Sequence, residues 1–247
     1  MGQPVVVLDG DDTLWFVEPL YDEARAAAAA VVAAAGLDPR QWEALQRRLD
    51  VRYVASLGVS PKRFPESCAE AYGRLAARST SINSTVEASV RAAANSVFLR
   101  TAVPVDDVRN IVGRLREAFH VILLTKGDEK VQNKRILDAG LTDAFDLVAI
   151  VPDKGIPQFR EVLSAMHADA SSAWSVGNSL ASDINPALRI GMHAIWVDAH
   201  VWEYEQRERE IGPGDSIKAP DLSSAAQILL EYRFTDSTSS VSSAIDR

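Results

Sequence analysis

Short runs of consecutive apolar residues recur along the chain, and polar residues follow each run at once. Five runs share this form: Val5–Leu8, Val121–Leu124, Leu147–Val151, Ala173–Val176 and Ala194–Val197. Such unbroken runs are typical of strands that are buried on both faces of a sheet. Three helix-like segments separate the last four runs: Glu129–Ala139, Ile156–His167 and Ala181–Ile190. The alternation predicts an α/β fold, a doubly wound parallel sheet with helices on both faces.

The interval 19–100 breaks this alternation because it contains no convincing strand pattern. Its residues predict about four helices, and Asp38 is expected to be the N-cap of the second. A later segment opens with Ser84 and Glu87, which are spaced as a capping box. We therefore expect a helical cap inserted after the first strand.

The expected domain organisation follows from this insertion. Residues 1–17 and 101–233 are expected to form the core, and residues 18–100 are expected to form the cap. The last segment, 234–247, is rich in serine, and we expect it to be poorly ordered.

The composition limits the classes of molecule that the protein is expected to bind and the compartment in which it is expected to lie. The chain has 247 residues, with 26 Lys and Arg against 34 Asp and Glu, which gives a net charge of −8. This balance argues against binding to nucleic acids or to anionic membranes. The one cysteine, Cys68, excludes a disulfide framework. Because the sequence shows neither a secretory signal pattern nor an apolar stretch of roughly 18 residues, we expect a cytoplasmic protein.

Polar residues with distinct chemistry follow the first four predicted strands of the sheet. In chain order they are Asp9, Asp11 and Asp12, then Thr125 and Lys126, then Lys154, then Asn178 and Asp183. The carboxyl ends of parallel strands meet at one edge, so these groups are expected to converge. Clustered carboxylates repel one another unless a cation lies among them, and oxygen-only ligands suit Mg²⁺. A hydroxyl and an ammonium, as in Thr125 and Lys154, suit a phosphate group.

The acidic pair Asp9 and Asp11 suggests a two-step reaction. A carboxylate beside a neutralised phosphoryl group can attack it and form an aspartyl-phosphate. A second carboxylate two residues further on can act first as general acid and then as general base. A calcium loop of the EF-hand type would need Gly and Glu where this chain has Leu14 and Leu20, so that interpretation fails.

Four segments together resemble the four motifs of the haloacid dehalogenase-like (HAD) hydrolases. In order they are DGDDTLW, LLTKGD, DKGIPQF and VGNSLASDINPALRIGM. The likeness covers roughly residues 4–200, and the helical insertion is similar to the C1 cap of that family. The resemblance implies a Rossmann-like core, phosphatase activity most often, a small phosphorylated substrate, and Mg²⁺ as cofactor.

The resemblance also implies roles for individual residues. Asp9 would be the nucleophile and a metal ligand. Asp11 would be the general acid/base, and its main-chain carbonyl would also contact the metal. The phosphate would be bound by Thr125 and Lys154, and the metal site would be completed by Asn178 and Asp183.

Two of these positions leave alternatives open. The family usually has Asp where this chain has Asn178, so either the amide oxygen ligates the metal or direct ligation shifts to Asp183. The lysine of the third motif is either Lys134 or Lys154. We favour Lys154, because it follows a strand at the catalytic edge, whereas Lys134 lies inside a predicted helix.

Four further residues are weaker candidates for substrate contacts. Lys62 and Arg63, in the cap segment GVSPKRF, would either meet a substrate anion or remain solvated. Lys126 would either face solvent or reach the substrate. Trp15, beside the acidic loop, would either line the pocket or pack where the cap joins the core.

Three functions compete on this evidence. The first is a Mg²⁺-dependent phosphomonoester hydrolase, which the set Asp9, Asp11, Thr125 and Lys154 favours. The second is a 2-haloacid dehalogenase of the same fold, whose chemistry needs neither a metal nor Asp11; Asn178 gives it slight support. The third is a catalytically weak binding or regulatory protein that keeps the fold.

Overall fold

The structure is a computed structural model, and it describes residues 3–79, 81–211 and 216–232. Its strands are β1 (Val5–Leu8), β2 (Trp15–Phe16), β3 (Val103–Pro104), β4 (His120–Lys126), β5 (Leu147–Val151), β6 (Trp174–Gly177), β7 (His193–Val197) and β8 (Ile217–Ala219). Its α-helices are α1 (Glu18–Ala34), α2 (Pro39–Leu57), α3 (Arg63–Ser79), α4 (Ser84–Asn95), α5 (Val108–Arg116), α6 (Glu129–Asp138), α7 (Ile156–Ala165), α8 (Asn185–Leu188) and α9 (222–232). A π-helical turn, Leu180–Ile184, directly precedes α8.

The central sheet has six parallel strands in the order β5-β4-β1-β6-β7-β8. After β1 the chain builds one side of the sheet with β4 and β5, and then crosses β1 to build the other side. Leu8, the last residue of β1, pairs with Leu123 of β4 and with Val176 of β6. The direction of winding therefore changes at β1, and a crevice opens at the carboxyl end of that strand.

The two faces of β1 contribute to two different hydrophobic clusters. Val6 and Leu8 pack on one face, and Val5 and Val7 pack on the other. The first face meets the helix α5, and the second face meets the helix α7. Burial of each such side chain stabilises the fold by about 1.5–3 kcal/mol, which is why this strand is apolar at every position.

The helices α1 to α4 form a cap that has a hydrophobic core of its own. Its buried members include Ala24, Ala28 and Val32 of α1, Trp42 and Leu49 of α2, Phe64 and Tyr72 of α3, and Val90 of α4. The alanine-rich α1 allows its neighbours to approach closely because its buried side chains are small. All four helices lie inside the predicted cap interval 18–100.

The chain enters and leaves the cap through a short antiparallel ladder. Trp15 pairs with Pro104, and Phe16 pairs with Val103. The sequence pattern did not predict this ladder, because strands of two residues leave no apolar run. The ladder holds the two connections side by side at the edge of the crevice.

Several local predictions need correction. The N-cap of α4 is Asn83, which accepts hydrogen bonds from the N–H groups of Thr85 and Val86, and not Ser84 as the capping box suggested. The predicted helix 181–190 begins as a π turn, and β8 and α9 were not predicted. The N-cap Asp38 is confirmed. The predicted tail 234–247 lies outside the described residues.

Within the part of the chain that the structure describes, no helix combines the length and the apolarity that crossing a bilayer requires.

The Asn83 cap gives a stability prediction. Asn83→Ala is expected to lower the free energy of unfolding by about 1 kcal/mol, because two N–H groups at the start of α4 lose their acceptor. Ser84→Ala removes no such bond and should change that free energy by less than roughly 0.5 kcal/mol. Urea unfolding followed by circular dichroism measures both variants. A larger loss of unfolding free energy in Ser84→Ala than in Asn83→Ala would show that Ser84 is the N-cap.

Candidate active site

Three charged side chains meet in the crevice beyond β1. The Lys154 Nζ atom lies 2.8 Å from Asp9 Oδ1 and 2.5 Å from Asp183 Oδ1. All three residues are buried. They come from three places in the chain: directly after β1, before α7, and inside the π turn. The structure therefore brings together the groups that the strand-end pattern placed at one edge.

Burial and charge together set the protonation of this trio. Burial raises the pKa of Asp9, Asp183 raises it further by repulsion, and Lys154 opposes both, so that it reaches about 7. Burial alone would lower the pKa of Lys154, but attraction to Asp183 and Asp9 outweighs burial and raises it above its usual value. Lys154 therefore carries a positive charge between the two carboxylates at neutral pH.

Two glycines make room for the site. A Cβ atom at Gly177 would lie 2.4 Å from the Asp183 carboxyl group, so only glycine lets that carboxyl rest on the end of β6. A Cβ atom at Gly10 would lie 2.6 Å from the Trp15 ring and 2.9 Å from Thr125 Oγ1. Both glycines serve close approach and have ordinary backbone angles.

Asp183 is held in place by its own turn. Its Oδ2 atom accepts a hydrogen bond of 2.8 Å from the main-chain N–H of Ser179. Its main-chain carbonyl accepts one of 2.9 Å from the Ser175 hydroxyl on β6. Side chain and backbone are thus both fixed, so the carboxylate has one orientation toward Lys154.

Thr125 and Asn178 complete the wall beside Asp9. The Thr125 hydroxyl oxygen is buried and has no hydrogen-bond partner among the described residues. A buried polar atom normally has a partner, so this hydroxyl is available to a ligand. Asn178 donates from its Nδ2 atom to the main-chain carbonyl of His200, which leaves its amide oxygen as the end available to a cation.

Asp11 lies on the same cavity but is held by a different set of donors. Its carboxylate accepts hydrogen bonds from Trp15 Nε1, Gln132 Nε2 and Arg135 Nη1. Trp15 is fully buried and is not among the residues that line the cavity, so it contacts Asp11 and not the cavity space.

The two lysine candidates for the third motif lie in different surroundings. Lys154 lies between Asp9 and Asp183, as described above. Lys134 lies on α6, where it pairs with Asp138 and donates to a main-chain carbonyl at Arg100. The geometry is that expected when Lys154, and not Lys134, belongs to the site.

The weaker substrate candidates have three different placements. Lys62 is exposed and is absent from the residues that line the described cavity. Arg63 lines the cavity but is buried, ion-paired with Asp50, and stacked 4.1 Å over the Trp202 ring. Lys126 does not face solvent, because it forms an ion pair with Glu205 at the cavity wall.

Sequence reasoning did not identify several residues that line the cavity or contact Asp11. Glu205 and Trp202 belong to the loop between β7 and β8, and no local pattern relates that loop to the strand ends. Gln132 and Arg135 had a signal, because they lie three residues apart on one face of α6, directly after the N-cap Asp128. That spacing places both side chains on one face of the helix.

The same loop joins the core to the cap over the cavity. Glu203 forms an ion pair with Arg47 of α2, and His200 lies 3.3 Å from Glu18 of α1. Together with the Trp202 contact to the cap, these interactions close one side of a cavity of about 120 Å³. A space of this size suits a small ligand and is enclosed on opposite sides by core and cap.

Comparisons with known proteins bear on the family and the fold of this chain. A family model described as haloacid dehalogenase-like hydrolase matches residues 4–191. A crystal structure of a haloacid dehalogenase-like family hydrolase from Xanthomonas campestris superimposes with a TM-score of 0.77 at 25% identity, covering 95% of this chain and 98% of that one. This likeness confirms the predicted fold class.

Two curated relatives share part or most of the sequence. Glyceraldehyde 3-phosphate phosphatase from Pyrococcus abyssi (strain GE5 / Orsay) is 33% identical over 98 residues, which are 37% of this chain and 41% of that protein. The match thus spans about two fifths of that relative's length. Pyrimidine 5'-nucleotidase YjjG from Escherichia coli (strain K12) is 24% identical over 237 residues, 92% of this chain and 98% of that protein.

The environment of Glu205 gives a prediction on pH and stability. Burial alone would raise its pKa, but the charge of Lys126 and hydrogen bonds from Lys126, Ser179 and Ser182 lower it to about 2, against an ordinary value of 4.5. A carboxylate whose pKa is lowered by folding stabilises the fold above pH 4.5, and this contribution is lost as the pH falls from 4.5 to about 2. In Glu205→Gln the loss of stability between pH 7 and pH 3 should be smaller by roughly 2 kcal/mol.

Urea unfolding between pH 3 and pH 7 measures this difference. The matched control is Glu203→Gln, since Glu203 lies in the same loop but is largely exposed. If the free energy of unfolding of Glu205→Gln falls with decreasing pH as much as that of the wild type, the ion pair with Lys126 does not stabilise the fold.

Proposed function

This chain belongs to the haloacid dehalogenase-like hydrolase family, and from that premise we propose that it is a Mg²⁺-dependent phosphomonoester hydrolase. The substrate would be a small phosphorylated metabolite, and the reaction would pass through an aspartyl-phosphate on Asp9. One observation carries this proposal: a second carboxylate, Asp11, lies on the same cavity as Asp9, together with Thr125 and Lys154.

The first half-reaction transfers the phosphoryl group to the protein. An Asp9 carboxylate oxygen attacks phosphorus, and the bond from phosphorus to the ester oxygen breaks. Asp11 gives its proton to that leaving oxygen, so an alcohol departs. The ammonium of Lys154 and the free hydroxyl of Thr125 would hold phosphoryl oxygens during the transfer.

The second half-reaction releases phosphate. Asp11, now a carboxylate, takes a proton from water while the water oxygen attacks phosphorus. The bond between Asp9 and phosphorus breaks, and both carboxylates return to their starting state. The half-enclosed cavity keeps the aspartyl-phosphate away from bulk water until the leaving alcohol has departed.

The donor set suits Mg²⁺. Asp9, Asp183, the amide oxygen of Asn178 and the main-chain carbonyl of Asp11 would hold the ion, all through oxygen. Among the described residues no three His, Cys, Asp or Glu side chains form a metal cluster, so the amide and the carbonyl are needed. The raised pKa of Asp9 supports the assignment, because it reflects a burial and a repulsion from Asp183 that a cation relieves. When bound, Mg²⁺ supplies charge neutralisation to the phosphoryl oxygens.

The relatives favour phosphate chemistry over the alternatives. One is named a phosphatase and the other a 5'-nucleotidase. A 2-haloacid dehalogenase would use Asp9 without metal and would leave Asp11 without a role, and only the neutral Asn178 speaks for it. Release of inorganic phosphate from a panel of phosphomonoesters, and of chloride from 2-chloropropionate, each with and without Mg²⁺, separates the two. A binding protein without catalysis would release neither.

Substitution of the two carboxylates tests the mechanism. Asp9→Asn should abolish phosphate release, because an amide cannot form the aspartyl-phosphate. Asp11→Asn should lose about 10²- to 10⁴-fold in kcat, because the general acid/base is missing. Steady-state phosphate release measures both, with the exposed Asp143→Asn as control. Turnover of Asp9→Asn at the wild-type rate would rule out the aspartyl-phosphate route.

Asn178 gives a separate prediction on the metal. An added carboxylate in Asn178→Asp should strengthen Mg²⁺ binding, because a hard dication is held mainly by charge. The variant should therefore need less Mg²⁺ for half-maximal activity and show a larger Mg²⁺-induced rise in Tm. Without Mg²⁺ it should melt below the wild type, because a third carboxylate adds repulsion. Asp183→Asn should lose nearly all activity.

Titration of activity and of Tm with Mg²⁺ measures these effects. Identical titration curves for the wild type and Asn178→Asp would show that residue 178 is not near the metal.

A further inference from the structure

The Asp11 carboxylate accepts three hydrogen bonds from side chains. Trp15 Nε1 lies 2.7 Å from Oδ1, Gln132 Nε2 lies 3.1 Å from Oδ2, and Arg135 Nη1 lies 2.5 Å from Oδ2. A carboxylate offers about two acceptor positions on each oxygen. Both positions on Oδ2 are thus in use, whereas Oδ1 keeps one free. The free position is the place where a proton can be carried.

The three donors are themselves fixed. Trp15 is fully buried, with its ring against Gly10. Gln132 is buried and also donates, over 2.9 Å, to the main-chain carbonyl of Lys126. Arg135 is buried on α6 beside the cavity. A carboxylate held by three immobile donors keeps one orientation, which a lone exposed carboxylate would not.

Arg135 is also held from the side of the cap. The Tyr21 hydroxyl of α1 lies beside its guanidinium, in the position of an acceptor. Tyr21 is in turn packed edge-on against Phe64 and Phe98 in the cap. The guanidinium therefore lies between the carboxylate of the core and the first helix of the cap.

We propose that Arg135, together with Gln132 and Trp15, is the positioning device that orients the Asp11 carboxylate and leaves Oδ1 as the oxygen that exchanges the proton. The inference rests on the proposed phosphatase function. In the first half-reaction the proton passes from Oδ1 to the leaving ester oxygen while the bond from that oxygen to phosphorus breaks. In the second half-reaction a water proton passes to Oδ1 while the water oxygen bonds to phosphorus.

This role predicts a dependence on the leaving group. An alkoxide is a strong base and needs the proton from Asp11 as it departs, whereas p-nitrophenolate is a weak base and departs without it. Both substrates share the second half-reaction, so the difference appears in kcat/KM, which reports only the steps up to the first phosphoryl transfer. Misplacing the Asp11 carboxylate should therefore lower kcat/KM for alkyl phosphates and spare kcat/KM for p-nitrophenyl phosphate. A purely structural role for Arg135 would slow both to the same extent.

The experiment compares Arg135→Met and Arg135→Lys with the wild type. The control is Lys130→Met, an exposed position on the same helix. The substrates are p-nitrophenyl phosphate and the alkyl phosphate that the wild type hydrolyses fastest among two- and three-carbon phosphomonoesters. Arg135→Met is expected to lower kcat/KM for the alkyl phosphate by about 10- to 10²-fold, with less than about a threefold loss in kcat/KM for p-nitrophenyl phosphate. Arg135→Lys, which keeps one charged donor, should recover part of the loss.

A second readout uses the Asp11→Asn background. If Arg135 acts through Asp11, adding Arg135→Met to Asp11→Asn should cause less than about a twofold further loss. Equal losses in kcat/KM on both substrates, or losses that multiply in the double variant, would overturn the proposal while the phosphatase assignment stands. If the wild type releases no phosphate from any substrate, the proposed function fails first and the inference falls with it.

Circular dichroism and thermal melting of each variant report on folding. If Arg135→Met does not fold, the comparison is made with Arg135→Lys and with Gln132→Met, which removes another donor to Oδ2. The same ratio between the two substrates then decides the outcome.

Discussion

The ion-paired trio of Asp9, Lys154 and Asp183 is the constraint on which the rest of the site depends. A buried ammonium is tolerated only where opposite charges and hydrogen bonds replace its water shell, and here two carboxylates do so within 3 Å. The trio joins the end of β1 to the segment before α7 and to the π turn after β6. Removing Lys154 would leave two buried carboxylates that repel each other, so the lysine holds the three segments in one arrangement.

The cap is attached to this rigid centre by interactions of a different kind. Each unit has its own hydrophobic cluster, with α1 to α4 packed among themselves. Exposed ion pairs such as Arg47 with Glu203 contribute about 0–1 kcal/mol. The stacking of Arg63 on Trp202 adds a cation–π contact beside the buried pair with Asp50. Cap and core are thus joined at the cavity by polar contacts and by Tyr21, which packs against both clusters.

The sequence allowed the sheet and the strand-end residues to be predicted, because both depend on simple patterns. The run Val5–Leu8 is apolar throughout since both its faces are buried, and parallel strands bring their carboxyl ends to one edge. The π turn was not predictable in this way. Its Ile184 N–H bonds to the Ser179 carbonyl five residues back, and that register sets Asp183 against Gly177. The roles assigned to individual site residues stay predictions.

The donors around Asp11 and the loop over the cavity depend on tertiary contacts between distant parts of the chain. Arg135 lies 124 residues from Asp11, and although its spacing places it on one face of α6 with Gln132, nothing in the sequence relates that face to Asp11.

The neutral residue at position 178 can be understood from the same charge balance. Asp9 and Asp183 already exceed the single charge of Lys154, and the raised pKa of Asp9 reflects that excess together with burial. A third buried carboxylate would deepen the imbalance whenever no metal is bound. The amide of Asn178 instead donates to the His200 carbonyl and keeps an oxygen available for a cation. Under the proposed function, Asn178 would attract a metal less strongly than Asp would, and it would repel Asp9 and Asp183 less when no metal is bound.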